Sequence, residues 1–229
     1  DVYKRQPDRV TIEIPTDEEV VFVLLVPTDE SGRLRYDSRT RIRDLAGKVK
    51  DGLLRARIPE GTWSLLVFAR TFFKGMFFGG YVDLMNKDAC RLFIRYTHDV
   101  YAKRLRKYYG RTIKGIFTDE PSLFHSNRPD SIQWSPRLPR EFARDHRYPF
   151  TTALPGLFFD VGPETVKFRC DFARTVLRLY LEAFYRPIYE HCDRRGVMSV
   201  GHLDAEGEWR RHVKEQIDFF AVTGQMHYA

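Results

Sequence analysis

The stretch GIFTDEP, residues 115–121, concentrates reactive groups: Asp119 and Glu120 close a short apolar run, and Pro121 stops it at once. Acidic residues are poor strand formers, so an adjacent pair at the end of a buried strand needs a reason. A second set stands in VGHLDAE, residues 200–206, where His202, Asp204 and Glu206 close another apolar run. Carboxylates at strand ends suit cleavage of a glycosidic bond, in which one carboxylic acid protonates the leaving oxygen and a second carboxylate attacks or activates water. Aromatic side chains flank these acids: Phe72, Phe73, Phe77, Phe78, Tyr81 and Trp134 offer faces on which sugar rings stack. Each feature also has a plainer explanation. The acid pair caps a helix or joins a loop salt bridge, His202 is a hydrogen-bonded interior histidine, Glu206 complements a helix dipole in a first turn, and the aromatic loop is core.

These groups need elements to hold them. Residues 8–62 read as β structure: RVTIEIP alternates, EVVFVLLVP is a continuous apolar strand, and GRLRYD and GLLRARIP alternate again between polar turns. From residue 62 the texture changes. TWSLLVFAR is apolar on both faces, as a buried parallel strand is. A helix is predicted over 87–109, with Asn86 as N-cap, Gly110 just past its end, and Leu92, Phe93, Tyr96, Val100, Leu105 and Tyr108 as its core-facing stripe. TIKGIFTDEP is a strand, a short helix lies near 138–146, and a long helical segment spans 164–195, kinked or split at Pro187 and ended by Gly196. VMSVGHLDAE is the next strand, followed by a helix over 207–218 and a last strand over 219–228. Alternation of strand and helix predicts a parallel sheet with helical crossovers, and in such sheets the chemistry sits at the carboxyl ends of the strands. Strands near 63–69, 112–118, 197–203 and 219–225 are therefore expected side by side and parallel, with both acid sets at one end.

Composition narrows the choices. The chain has 229 residues, 43% of them hydrophobic, which suffices for a sizeable core. No apolar run approaches the roughly 18 residues of a membrane span. The net charge is +7, but the 38 basic residues are interleaved with 31 acids, which argues against a nucleic-acid surface. Cys90, Cys170 and Cys192 are read as thiols, with no disulfide framework and no metal spacing. Phosphate loops, H-E-x-x-H and G-x-S-x-G are absent. The opening DVYKRQ looks like translated adapter sequence from the end of a metagenomic gene fragment, and is expected to belong to no fold.

The block DLMNKDACRLFIRYTHDVYAKRLRKYYGRTIKGIFTDEPSLF, with YRPIYEHCDRRGVMSVGHLDAE downstream, resembles bacterial glycoside hydrolases of the family 106 α-L-rhamnosidase type. The resemblance runs over residues 60–229 and rests on an Asn-led helix containing Thr-His, a strand ending Phe-Thr-Asp-Glu-Pro, and a Gly-His-Leu strand. It implies an α/β fold, a partial (β/α)8 TIM-type barrel with a small antiparallel β unit inserted or preceding. The implied division is residues 1–6 adapter, 7–62 antiparallel β subdomain and 63–229 partial barrel catalytic domain. It also implies hydrolysis of glycosidic bonds in an oligosaccharide or polysaccharide. Carried over to this chain, Glu120 is the general acid and Glu206 a second catalytic group. Asp119, His202, Asp204, Trp134 and Tyr81 contact substrate. Asp204 stands where the family pattern has an apolar residue, which bears on the role of Glu206. Calcium is a cofactor implied by the resemblance alone. A catalytically inactive carbohydrate-binding relative is the alternative, and a basic nucleic-acid-binding α/β protein a third. Only about four barrel strands are expected here, of the eight that a full barrel has. The second catalytic carboxylate can therefore lie beyond Ala229. A periplasmic, secreted or cytoplasmic bacterial location fits equally.

Overall fold

The computed structural model describes residues 2–4, 9–14, 18–72, 81–123 and 130–229. The chain divides into two compact units: Asp1–Phe72 with Leu138–Phe172, and Phe73–Arg137 with Ala173–Ala229.

The first unit is built on antiparallel pairs. β1 (Val2–Lys4), in the adapter-like stretch, runs antiparallel along the start of β7 (Thr62–Arg70), while β2 (Arg9–Glu13) pairs with β6 (Leu53–Arg57). β3 (Glu19–Pro27) takes the two-residue β4 (Arg43–Asp44) on one side, and β5 (Val49–Lys50) extends the β6 ladder. The central pair is β3 with β7, running from Glu19↔Arg70 to Pro27↔Trp63 with one register shift between Val20 and Phe22. This corrects the expectation that 62–70 joins the parallel sheet. A run apolar on both faces does not say which way its partner runs, and β3 offers an apolar partner of the same nine-residue length; β7 itself is only half-buried, with Val67 exposed.

The chain then enters the second unit with α1 (Lys87–Tyr96), α2 (His98–Arg104) and β8 (Gly115–Thr118). It returns to the first with α3 (Leu138–His146) and α4 (Phe150–Phe158), and then runs through α5 (Thr165–Tyr180). α4 was not evident from sequence because Pro155 and Gly156 stand inside it; Gly156 is required there, since a β-carbon would meet Phe168 Cδ2 at 2.7 Å. The second unit is completed by α6 (Arg186–Asp193), β9 (Met198–Gly201), α7 (Trp209–Glu215) and α8 (Phe219–Thr223). A wide π-type turn over Leu181–Tyr185 separates α5 from α6 just before Pro187, where the missing N–H disrupts the helical ladder.

In the second unit β8 and β9 are parallel, as expected, and the apolar cluster of Tyr180, Phe184, Ile188, Cys192, Val197 and Leu203 packs against them. Three expectations fail. Residues 219–223 form a helix, because Asp218 caps it by accepting the Ala221 N–H at 2.9 Å; the chain rejoins the sheet only at His227 and Tyr228, where Tyr228 bridges Val200 in parallel. The stripe of Leu92, Phe93, Tyr96, Val100 and Tyr108 is exposed, and Cys90, Ile94 and His98 turn inward instead. The predicted single helix breaks at Thr97, whose hydroxyl donates back to the Phe93 carbonyl at 2.6 Å. The described part holds a mixed α/β arrangement with small antiparallel sheets and one parallel pair, short of a closed barrel. No helix among the described residues is long and apolar enough to cross a membrane.

Candidate active site at the ends of the parallel strands

β8 and β9 are in register from Gly115↔Met198 to Thr118↔Gly201, so Asp119–Glu120 and His202–Glu206 leave the same end of neighbouring strands. The ladder continues one step beyond, with the His202 N–H donating to the Thr118 carbonyl at 3.2 Å. The His202 ring packs edge-on against Phe117, centroids 5.1 Å apart. A β-carbon on residue 201 would meet the Thr118 carbonyl oxygen at 2.3 Å, so the glycine of Gly-His-Leu is what lets the strands close there.

The backbone is strained around this end. Glu120 has φ 45°, Ala205 φ 61° and Ile217 φ 69°, a region that costs a non-glycine residue about 1–3 kcal/mol. Glu120 also precedes a proline, which disfavours compact backbone further. Strain persists only where the surroundings over-determine it, and here they do. The Pro121 carbonyl accepts from both the Tyr180 hydroxyl and Gln216 Nε2, each at 2.8 Å. The Leu123 N–H donates to the Glu215 carbonyl at 3.1 Å, and the Ser122 N–H donates to the Tyr81 hydroxyl at 3.4 Å. Tyr180 and Gln216 are fully buried.

Asp119 and Glu120 are both exposed. Tyr81 is partly exposed; burial pushes its phenol up, the Ser122 bond opposes that, and the charge of Asp204 adds to it, which places Asp204 in the field of Tyr81. Trp134 is half-buried in the loop before α3; its neighbours tie that loop down, Ser135 by donating to Asp83 Oδ2 at 2.7 Å and Gln133 by donating to the Lys214 carbonyl. Phe73, Phe77 and Phe78 lie outside the described residues. Glu206 Oε1 accepts the Leu203 N–H at 2.9 Å, so one oxygen is committed to its own turn. Asp204 is bound by Arg211, whose Nη2 donates to both carboxylate oxygens at 3.2 Å.

Behind Asp204 lies a carboxyl that the sequence reading did not single out. Glu215, on α7, is 4% exposed. Its Oε1 accepts from Arg211 Nε at 2.6 Å. Burial first, and the adjoining Asp204 carboxyl second, push Glu215 up to about 7, against the pull of Arg211. Among the described residues no group of three or more histidine, cysteine or acidic side chains is placed to hold a metal ion.

Part of a solved structure is similar in fold. It is a rhamnosidase from Novosphingobium sp. PP1Y, 20% identical, with a TM-score of 0.51, matched over 73% of this chain and 17% of that one. The likeness is one of fold, to part of a glycoside hydrolase. No family model matches the sequence, and no curated protein matches it.

What the sequence reading missed had a faint signal. Arg211 and Glu215 are four apart on a predicted helix, a common pairing on solvated faces. Nothing local says that this face turns inward toward Asp204.

Proposed function

We propose that this chain is part of a bacterial glycoside hydrolase of the family 106 α-L-rhamnosidase type, with its second unit drawn from a (β/α)8 barrel, and that it cleaves glycosidic bonds in an oligosaccharide or polysaccharide. In this reading Glu120 donates the proton to the leaving oxygen and Glu206 supplies the second carboxylate. Asp119, His202 and Asp204 hydrogen-bond sugar hydroxyls, and Tyr81 and Trp134 offer ring faces to the sugar. The observation that carries the reading is the strained backbone of Glu120 at the end of a parallel strand, beside the end of the next. Strain held in place by four hydrogen bonds around Pro121 and its neighbours marks a residue whose position matters more than its comfort. The likeness in fold to part of a rhamnosidase supports the class of reaction.

A second reading is a carbohydrate-binding relative without turnover, and the commitment of Glu206 to the Leu203 N–H favours it. Hydrolysis of an alkyl and of an activated aryl α-L-rhamnoside by the full-length protein that contains this chain, and by its Glu120→Gln variant, separates the two. A general acid predicts a loss of about 10²-fold or more on the alkyl substrate and a much smaller one on the aryl substrate, whose leaving group needs no proton. Equal rates in both proteins on both substrates remove Glu120 from the mechanism. Saturable binding without hydrolysis establishes the second reading, and the absence of both sinks each.

A further inference from the structure

We propose that Glu215 and Asp204 share a single proton, and that Glu215 is thereby a positioning residue for Asp204 and for the loop that carries Glu120. The geometry starts from an imbalance of donors. Four carboxyl oxygens meet one guanidinium, Arg211, which reaches both oxygens of Asp204 and Oε1 of Glu215. The fourth oxygen, Glu215 Oε2, is buried and accepts from no donor among the described residues. A buried carboxylate oxygen without a donor is costly. One guanidinium, that of Arg211, gathers the Asp204 and Glu215 carboxyls side by side, and between two carboxyls the only possible donor is a proton that one of them keeps.

Burial decides which carboxyl keeps it. Glu215 is enclosed, while Asp204 is partly open to solvent and bound by both its oxygens. The neutral acid therefore sits on Glu215 and donates to Asp204, which stays an anion held by Arg211. The cluster is then Asp204 carboxylate, Glu215 carboxylic acid and Arg211 guanidinium, with no net charge. Among the described residues, Glu208 acts on Arg211, the Tyr81 phenol faces Asp204, and the buried His212 stands one turn before Glu215 on α7. Removing the proton sets two anions against each other beneath one cation.

The consequence reaches the strand ends through α7. The Glu215 carbonyl holds the Leu123 N–H, and the next side chain, Gln216, holds the Pro121 carbonyl. A helix pushed away from Asp204 drags both anchors of the strained segment. This inference rests on the proposed hydrolase only for what Asp204 and Glu120 touch; the shared proton stands without it.

The test is a titration of the chain labelled with ¹³C at the Glu and Asp carboxyl carbons, followed by NMR from about pH 5 to about pH 9, in the wild type, Glu215→Gln and Asp204→Asn. One Glu carboxyl titrating near neutrality, absent in Glu215→Gln and moved toward the ordinary range in Asp204→Asn, is the expected result. Glu215→Gln keeps the fold, because its amide donates to Asp204 and its carbonyl accepts from Arg211, and its urea midpoint meets that of the wild type below about pH 4.5, where the acid is protonated both folded and unfolded. As the pH rises from about 4.5 toward 7 the midpoint of the variant climbs relative to that of the wild type, because only the wild type holds in its folded state a proton that its unfolded chain has released; a merely structural role does not move that difference. A chain in which every carboxyl titrates in the ordinary range overturns the proposal, as does a neutral titration that survives Glu215→Gln. Should Glu215→Gln not fold, the shift in Asp204→Asn decides alone. A shared proton in a chain that neither binds nor cleaves sugar sinks the hydrolase reading and leaves this one, and sugar cleavage without the neutral titration does the reverse.

Discussion

Gly201 and Thr118 stand so close across the parallel pair that a β-carbon on the first would meet the carbonyl oxygen of the second at 2.3 Å. Real side chains do not tolerate that approach, and the obstacle is backbone. Gly201→Ala should therefore separate β8 from β9 at their carboxyl ends and cost about 1–3 kcal/mol, the range of overpacked sites. A urea midpoint equal to that of wild type would show that the strands are not so tightly joined. Gly47, with open space around it, is the control: Gly47→Ala should leave the midpoint nearly unchanged.

Pro121 is held by two donors, and that arrangement predicts non-additivity. Tyr180→Phe removes one and leaves the Gln216 bond, at a cost of about 1 kcal/mol. Gln216→Leu does the reverse. Together they leave a buried carbonyl with neither donor, and the double variant should lose more than the sum of the singles by roughly 0.5 kcal/mol or more. Strict additivity in a double-mutant cycle would mean that water or another group takes over the carbonyl.

Glu120 offers a separation of stability from function. Its φ of 45° suits glycine, so Glu120→Gly should raise the unfolding free energy by up to about 1 kcal/mol while removing the carboxylate. Destabilisation by the same amount would show that the side chain, not the backbone, holds this segment.

Acid should weaken the second unit through a pair of histidines. His98 and His191 pack edge-on with centroids 5.4 Å apart, and the Nε2 atom of each is buried without a partner among the described residues. Burial lowers both; His191, 2% exposed, falls to about 4, with Arg195 and His98 adding to burial and Asp99 opposing it. The folded state thus holds both rings neutral while the unfolded chain takes up protons at the ordinary histidine value. Stability is fully present above about 6.5 and is lost as the pH falls from there toward 4, by up to about 3 kcal/mol for His191. The urea midpoint of the wild type relative to that of His191→Gln should fall as the pH falls across that window, a difference that leaves out the opposite contribution of Glu215, common to both proteins. An unchanged slope in the variant would assign the acid sensitivity to other groups.

Much of the local structure was written in short patterns. The helix over 138–146 was legible from its spacing, and the inward face of α5 and α6, from Phe168 through Val176 and Ile188 to Cys192, followed from a period near 3.6. Gly110 and Gly196 read as the residues that end a helix before a strand, and both have positive φ. The acid pair at 119–120 and the parallel pairing of its strand with the Gly-His-Leu strand were also expected, because an apolar run cut off by acids and proline marks a strand end from within.

Other features depend on partners far away in sequence. TWSLLVFAR is apolar whichever sheet receives it, so only the presence of β3 decided its place. The face of α1 that turns inward was chosen by what Cys90 and His98 meet, since two stripes of similar spacing run along the same helix. Residues 219–223 carry strand-forming side chains, and one capping bond from Asp218 made them a helix. Glu215 looked like half of an ordinary surface pair with Arg211 until α7 turned it toward Asp204. The sequence by itself determined α3, the inward face of α5 and α6 and the strand ends at 118 and 201, because periodicity, caps and breakers act over a few residues, but not α4, the break at Thr97 or the helix over 219–223. The tertiary structure decided which strands pair, which faces are buried and which carboxyl keeps its proton, because pairing, desolvation and charge proximity depend on groups that the chain brings together only when folded.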